Sequence, residues 1–323
     1  MIEFLNNRPT TKKEMFMWQM LPYEERVPDR QYHNLIQLIL DQGISAPTPQ
    51  GVDALTVIGP PPFRFKPENG FPMITERNLS PKTSDNLPVT IWQQAIGEIF
   101  AFVGGALTVT ELEQFGCHWW KHFATEEKCA KRNLPTGHLG PGSYGGGFAH
   151  FPTKDGSEMN QWRVVIEQAK KFPHLRTLLV TDWIPQYIPR GPGYTQGVVV
   201  APCHGIVVHL RIINRKLTLT MVQRSADVII GVPSNMIQYM ALALALSQVL
   251  DLELAEFVHF LIDAHIYEDQ LPTAQKILER DPRPFPTISL NPRRNDLFEF
   301  RREDFELSDY HPHPGIKNIP VSV

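Results

Sequence analysis

Cysteine is scarce: the 323-residue chain has only Cys117, Cys129 and Cys203. No pair stands in a CxxC or other metal-ligand spacing, so neither a disulfide framework nor a metal site is expected, and the chain reads as reduced and cytoplasmic. One-sided charge is missing as well. The 31 Lys and Arg nearly balance 34 Asp and Glu, for a formal net charge of −3. No basic block of the kind that grips a phosphate backbone stands out, so catalysis is not expected to require nucleic acid. Long apolar runs are also absent. The most hydrophobic helical stretch, near 241–250, is too short to span a bilayer, and the opening MIEFLNNRPTTKKEM lacks the charged-then-apolar pattern of a secretion signal. A hydrophobic share of 42% still provides a substantial core for one large domain.

What is there concentrates between Val198 and Asn235. Gly205 to Ile213 is β-branched, Asn214, Arg215 and Lys216 supply a turn, and Leu217 to Val222 alternates on the return, which predicts a β-hairpin. Cys203 precedes the first strand, and Gln223, Arg224 and Ser225 follow the second. Pairing the strands therefore sets a thiol beside a guanidinium. A cation raises the thiolate fraction of a cysteine, and a guanidinium fork suits phosphate. A buried, inert cysteine beside a structural arginine is the plainer reading of the same residues. His204 is adjacent to Cys203, but neighbours on an extended chain face opposite ways, which argues against a nucleophile and base dyad.

Elsewhere, Leu87 to Val103 reads as a buried helix with one carboxylate, Glu98, on an apolar stripe. A buried carboxylate is costly unless it is neutralised or bonded, so Glu98 is either salt-bridged or functional. FGCHWWKHF at 115–123 is an aromatic cluster, and HLGPGSYGGGFAHFP at 138–152 carries five glycines around Tyr144 without the context of a phosphate loop. Gln161 to Phe172 is an amphipathic helix, 185–196 is an irregular Pro/Gly loop, and Met236 to Leu250 is apolar nearly all round. A strand from Phe257 to Ile262 leads to Asp263, His265 and Tyr267.

The blocks APCH (201–204), QRSAD (223–227), GVPSN (231–235), DAHIY (263–267), PRPFP (282–286) and YHPHPGIK (310–317) resemble, in order and spacing, those of the thymidylate synthases and sister pyrimidine-nucleotide hydroxymethylases. NGFPMIT at 69–75, the helix around Glu98 and GPGSYG at 140–145 extend the resemblance upstream to about Gly51. It implies an α+β fold in which helices pack a large mixed sheet whose face forms a homodimer interface. The single catalytic domain would run over 29–323, behind an extension at 1–28 whose default role is a packing arm.

The resemblance also implies a chemistry. The substrate would be a pyrimidine nucleoside 5′-monophosphate and the cofactor 5,10-methylenetetrahydrofolate. Cys203 would add to carbon 6, a covalent route that divides one hard step into easier ones. By the same resemblance Glu98 relays a proton to the 4-oxygen, Tyr144 helps remove the C5 proton, and His204 and Asp227 join the catalytic set. Arg224, Gln223, Ser225 and Arg176 would hold the nucleotide, Asn235 its base, and His265 and Tyr267 its sugar. Trp120, Asp227 and Gly231 would meet the folate. Asn235 both donates and accepts, which suits uracil, where cytosine-using members place aspartate.

Departures from the family pattern accompany these matches. Gln50 stands where the phosphate loop carries arginine, Thr177 replaces one of two consecutive arginines, and the 185–196 loop is long, with Arg190 a candidate to restore charge. They point to a specialised paralogue and make uridylate hydroxymethylation the expected reaction. Thymidylate synthesis, which Trp120 favours by shielding, is the alternative, as are cytidylate hydroxymethylation and a non-catalytic RNA-binding or complex-forming role.

Overall fold

The computed structural model describes residues 20–84 and 87–321. Most of the 1–28 extension lies outside the described residues. Its last part, 20–28, packs on the body: the Arg26 guanidinium is buried and donates to the Phe285 carbonyl at 2.9 Å and to Thr287 Oγ1 at 2.7 Å.

Seven strands form one mixed sheet: β1 (Ile44–Ala46), β2 (Ala54–Ile58), β3 (Phe63–Phe65), β4 (Leu179–Val180), β5 (Val207–Ile213), β6 (Lys216–Asp227) and β7 (Glu253–Tyr267). The order is β1-β2-β7-β6-β5-β4, with β3 added to the first half of β7. The predicted hairpin is β5–β6. Its turn is tighter than expected, Asn214 and Arg215 alone, both at positive φ (50° and 62°), the geometry that matches the twist of the flanking strands. Strand β6 also runs further than its alternating pattern, through Gln223, Arg224 and Ser225, because β7 pairs with it in parallel as far as Asp227 and His265.

Parallel neighbours need a crossover, here helix α5 (Gly231–Leu250). Its residues from Met236 to Gln248 are all buried, because it packs on β6 and β7 on one side and on helix α2 (Ile91–Val103) on the other. At about 1.5–3 kcal/mol for each large apolar side chain, this layer is a principal source of stability. Leu87 to Thr90 is a strand rather than the first turn of α2. Thr90 and Gln93 form a capping box that starts the helix at Ile91. Helix α1 (Gln31–Gln42) covers β2 and packs on α6 (Leu271–Leu278). The glycine cluster falls in helix α3 (Tyr144–Ala149), followed by α4 (Gln161–Lys171). The other sheet face leaves Leu179, Phe260 and Ile262 exposed at 42%, 42% and 45%.

Candidate active site

The two ends of the hairpin meet as expected. The backbone N–H of Arg224 donates to the Cys203 carbonyl at 2.6 Å, and its guanidinium Nη2 lies 3.8 Å from Cys203 Sγ. Arg224 Nε is anchored on the Pro202 carbonyl at 3.2 Å, and the guanidinium lies over the Trp183 ring. The electrostatic outcome differs from the simple expectation. Burial pushes the Cys203 thiol up from its usual range, and this outweighs the opposing pull of Arg224. The Cys203 side chain thus favours the thiol form, with the Arg224 cation in place beside it.

Above it, Tyr144 begins α3, stacked on Phe102 and on His204 with centroids 4.6 and 4.4 Å away. Its hydroxyl accepts from the Cys203 backbone N–H at 2.8 Å, and burial holds its pKa well above the usual value. The phenol keeps its proton. His204 Nδ1 bonds the Tyr239 hydroxyl at 2.9 Å, and burial lowers its pKa to about 3, so the ring is neutral and engaged away from the thiol. That geometry leaves no Cys203–His204 dyad. The three glycines of α3 do not serve positive φ here. A Cβ at Gly145, Gly146 or Gly147 would stand 2.2, 2.1 or 2.3 Å from backbone atoms of Ala106, Pro141 or Asp182, so glycine is needed for close approach.

Asp182, two residues beyond the β4 end, is fully buried with neither carboxyl oxygen hydrogen-bonded among the described residues, and burial raises its pKa well above 3.8. The space that a Cβ on Gly205 would fill is occupied by Asp182 Oδ2 and the Tyr239 hydroxyl, at 2.6 and 2.5 Å from that position.

Glu98 is buried and, among the described residues, forms no salt bridge. Four groups donate to it: the Trp119 indole at 2.6 Å and the Trp120 indole, both to Oε1, the Cys117 thiol at 3.7 Å, and the Gln238 amide to Oε2. Burial raises its pKa, and the donors oppose that rise. Gln238 in turn accepts from Asn235 Nδ2 at 2.9 Å, and Asn235 Oδ1 accepts from Gln223 Nε2 at 2.9 Å. Gly231, at the start of α5, lies between Asn235 and Asp227.

Asp227 ends β6. Its Oδ1 caps the entry to α5 by accepting from the N–H groups of Ile229 and Ile230, and its Oδ2 accepts from Gln270 Nε2 at 3.1 Å. Gln270 also holds the Pro320 carbonyl at 3.1 Å, so the C-terminal tail is docked beside Asp227. Further along, the tail's Tyr310 bridges the Ile74 carbonyl and the Leu79 N–H, and His313 N–H donates to the Thr75 carbonyl. Across from Asp227 in the β6–β7 register, His265 holds Asp263 at 2.9 Å and meets the Tyr267 ring edge-on.

A model of the thymidylate synthase family matches residues 30–323. The chain belongs to the thymidylate synthase family. That family carries out folate-dependent methyl or hydroxymethyl transfer to C5 of a pyrimidine, and its helix-packed mixed sheet is the architecture described above. Among the described residues, no helix is long and apolar enough to cross a membrane. In this thymidylate synthase family member, Cys203, Arg224, Tyr144 and His204 form one connected cluster, and Glu98 joins Asn235 and Gln223 through side-chain amides. Not every sequence candidate converges on them. Arg176 is exposed just before β4, and its guanidinium has no protein partner among the described residues. Gln50 is exposed in the β1–β2 loop, and Arg190 is exposed where its charge acts on Arg132. The sequence reading missed Trp119, Gln238 and Asp182. A signal existed for Gln238, which lies one helical turn from Asn235, and for Trp119, which neighbours Trp120. Asp182 had none beyond its place at a strand end.

Proposed function

We propose that this chain transfers a one-carbon unit from methylenetetrahydrofolate to C5 of a uracil nucleoside 5′-monophosphate, with hydroxymethylation as the outcome. The observation that carries this reading is the joined pair of polar clusters, a thiol beside a guanidinium and a carboxamide linked to a buried glutamate. Arg224 both approaches Cys203 and keeps donors free for a phosphate, with Ser225 beside it. With Arg224 favouring its ionised form, Cys203 would give its proton to solvent and its sulfur would attack carbon 6, the electron pair of the carbon 5–carbon 6 double bond moving toward the 4-oxygen, which takes up a proton. Asn235, after its two internal bonds, retains one N–H and one lone pair, the complement of a 4-oxygen and a ring N–H. Glu98, whose pKa burial raises, is suited to carry a proton and pass it toward the 4-oxygen. The Tyr144 hydroxyl accepts from the Cys203 N–H and keeps its own proton for a ligand, so it can position a water or base that takes the C5 proton. His265 and Tyr267 would address the sugar.

The residues also fit the folate. Asp227 has three donors on its two oxygens, which leaves an acceptor site for a ring N–H, and the docked tail lies beside it. Bound there, methylenetetrahydrofolate would supply the one-carbon unit. The exposed apolar sheet face supports a homodimer, in which Arg176 would reach the partner's phosphate. Neutral Gln50 and Thr177 support the specialised product. A second reading, thymidylate synthesis, is favoured by Trp120, which is buried against Phe123 and Tyr144 where it would exclude water.

The deciding experiment incubates the protein with methylenetetrahydrofolate and dUMP, dCMP, UMP or CMP, and weighs the nucleotide products. A gain of formaldehyde mass on a uracil nucleotide without dihydrofolate absorbance is expected. A gain of one methylene with dihydrofolate would replace it with the synthase reading. No product on any of the four, with saturable RNA binding, would overturn enzymatic function.

A further inference from the structure

One line of side-chain hydrogen bonds runs unbroken from β7 to α2. His259 Nε2 donates to Gln223 Oε1 at 2.8 Å, Gln223 Nε2 to Asn235 Oδ1, Asn235 Nδ2 to Gln238 Oε1, and Gln238 Nε2 to Glu98 Oε2. All five residues are buried, at 0%, 2%, 5%, 0% and 6% exposure in that order. With so little solvent to exchange with, each amide can turn over only if its neighbours turn too.

Both ends oppose such a turn. Gln223 Nε2 also donates to the Ser225 carbonyl at 3.1 Å, and a carbonyl can only accept. At the far end, the Trp119 and Trp120 indoles and the Cys117 thiol all donate to Glu98, so its carboxyl acts as an acceptor toward its other partners. Inverting Gln238 would press its carbonyl against that carboxylate. His259 agrees with the same direction: Nδ1 has no partner, which suits the neutral tautomer with its proton on Nε2.

We propose that Gln238 is a specificity-determining residue: by accepting from Asn235 and donating to Glu98, it fixes the facing of the Asn235 carboxamide and so selects a 4-oxo over a 4-amino pyrimidine nucleotide. This rests on the uracil-nucleotide reading above. Asn235 has two N–H donors and two lone pairs, and the line uses one of each. As oriented, the remainder complements a 4-oxygen and an N3–H. Turned over, it would complement a 4-amino group and a bare N3. Gln238 touches no reacting atom in this scheme; it positions Asn235, and it links the base-reading group to Glu98.

The test is equilibrium binding of dUMP and dCMP to the full-length wild type, Gln238→Met and Gln238→Glu. Methionine has similar size and removes both bonds. Glutamate facing Glu98 would share one proton with it, so the new carboxyl still accepts from Asn235 and donates to Glu98. The dUMP preference is expected to fall about tenfold or more in Gln238→Met, mainly through weaker dUMP binding, and to stay within about threefold of wild type in Gln238→Glu. Equal weakening of both nucleotides in Gln238→Met, with the preference intact, would mean a packing role and overturn the inference. So would loss of preference in both variants alike. Failure of the wild type to bind either nucleotide would instead sink the nucleotide reading itself. Should Gln238→Met not fold, neutron diffraction on the wild type decides: deuterons on the Gln238 atom facing Glu98 are expected, and deuterons on the atom facing Asn235 would reject the proposal.

Discussion

The Tyr144 hydroxyl accepts a hydrogen bond from the backbone N–H of Cys203 at 2.8 Å. One bond thus connects the glycine-rich helix to the loop that carries Cys203. Tyr144→Phe would leave that N–H without this partner and remove the hydroxyl that meets the thiol loop. A stability loss of about 1–3 kcal/mol is expected, measured by urea unfolding. Release of tritium from carbon-5-labelled substrate should fall about 100-fold or more. Unchanged release would remove Tyr144 from the chemistry.

Arg224 lowers the Cys203 pKa against the larger upward effect of burial. Arg224→Gln removes the lowering contribution, so the thiol pKa moves further up. The pH profile for alkylation of Cys203 by iodoacetamide is expected to shift to higher pH. Cys117 and Cys129 are fully buried, so peptide mapping by mass assigns the modified site cleanly. A profile that does not move would mean that the guanidinium is screened from the sulfur.

Asp182 offers a pH test of stability. Its folded-state pKa is raised above the ordinary 3.8, so the folded protein keeps a proton that the unfolded chain releases. Stability is then full below 3.8 and is lost as pH rises toward the folded value. Asp182→Asn is neutral in both states. Its melting temperature should therefore gain on the wild type as pH is raised from about 5 to about 8. Parallel curves would show that Asp182 has a partner in solution.

Gly147→Ala would place a methyl 2.3 Å from the Asp182 Cα, a backbone atom that cannot swing aside. Overpacking of this kind costs about 1–3 kcal/mol or more. Because α3 also positions Tyr144, activity should fall further than the melting temperature alone accounts for. Full activity at a temperature where the variant is folded would contradict this.

Phe260 and Ile262 stand on the uncovered sheet face, with Val222 beside Phe260 in register. If two copies meet there, Phe260→Glu buries an unpaired charge at the contact and yields a monomer by light scattering, where the wild type is a dimer. A wild type that is monomeric at micromolar concentration would refute the interface.

Much of this architecture was legible in residue patterns. The alternation from Leu217 to Met221 fixed a face, and the unrelieved apolar run from Met236 to Leu250 required burial on all sides. Other features depended on tertiary pairing. That β6 continues through Arg224 follows from β7 alongside it, not from the local residues. Glycines 145–147 suit positive φ and close backbone approach equally, since a sequence does not show which backbone will lie within 2.3 Å. The site divided along the same line. Cys203, Arg224 and Asn235 stand in blocks of recognisable spacing, and the hairpin explains how the first two meet. Trp119, Gln238 and Asp182 take their importance from distant partners, Glu98 and Gly205; Trp120 and Asn235 hint at the first two, and nothing near Asp182 announces it. The direction of the Cys203 pKa likewise depends on how deeply the thiol is buried, which composition does not reveal.

Arg26 precedes the residues that the family model matches, yet its guanidinium is clamped between the Leu21, Phe285 and Thr287 oxygens. The matched region and the packed body therefore have different beginnings. A shortened protein started at residue 30 would retain the whole family match and leave the Phe285 carbonyl without its Arg26 donor, within the PRPFP segment whose Arg283 holds the tail at the His311 carbonyl. Trimming by homology would in this case cut into the folded body.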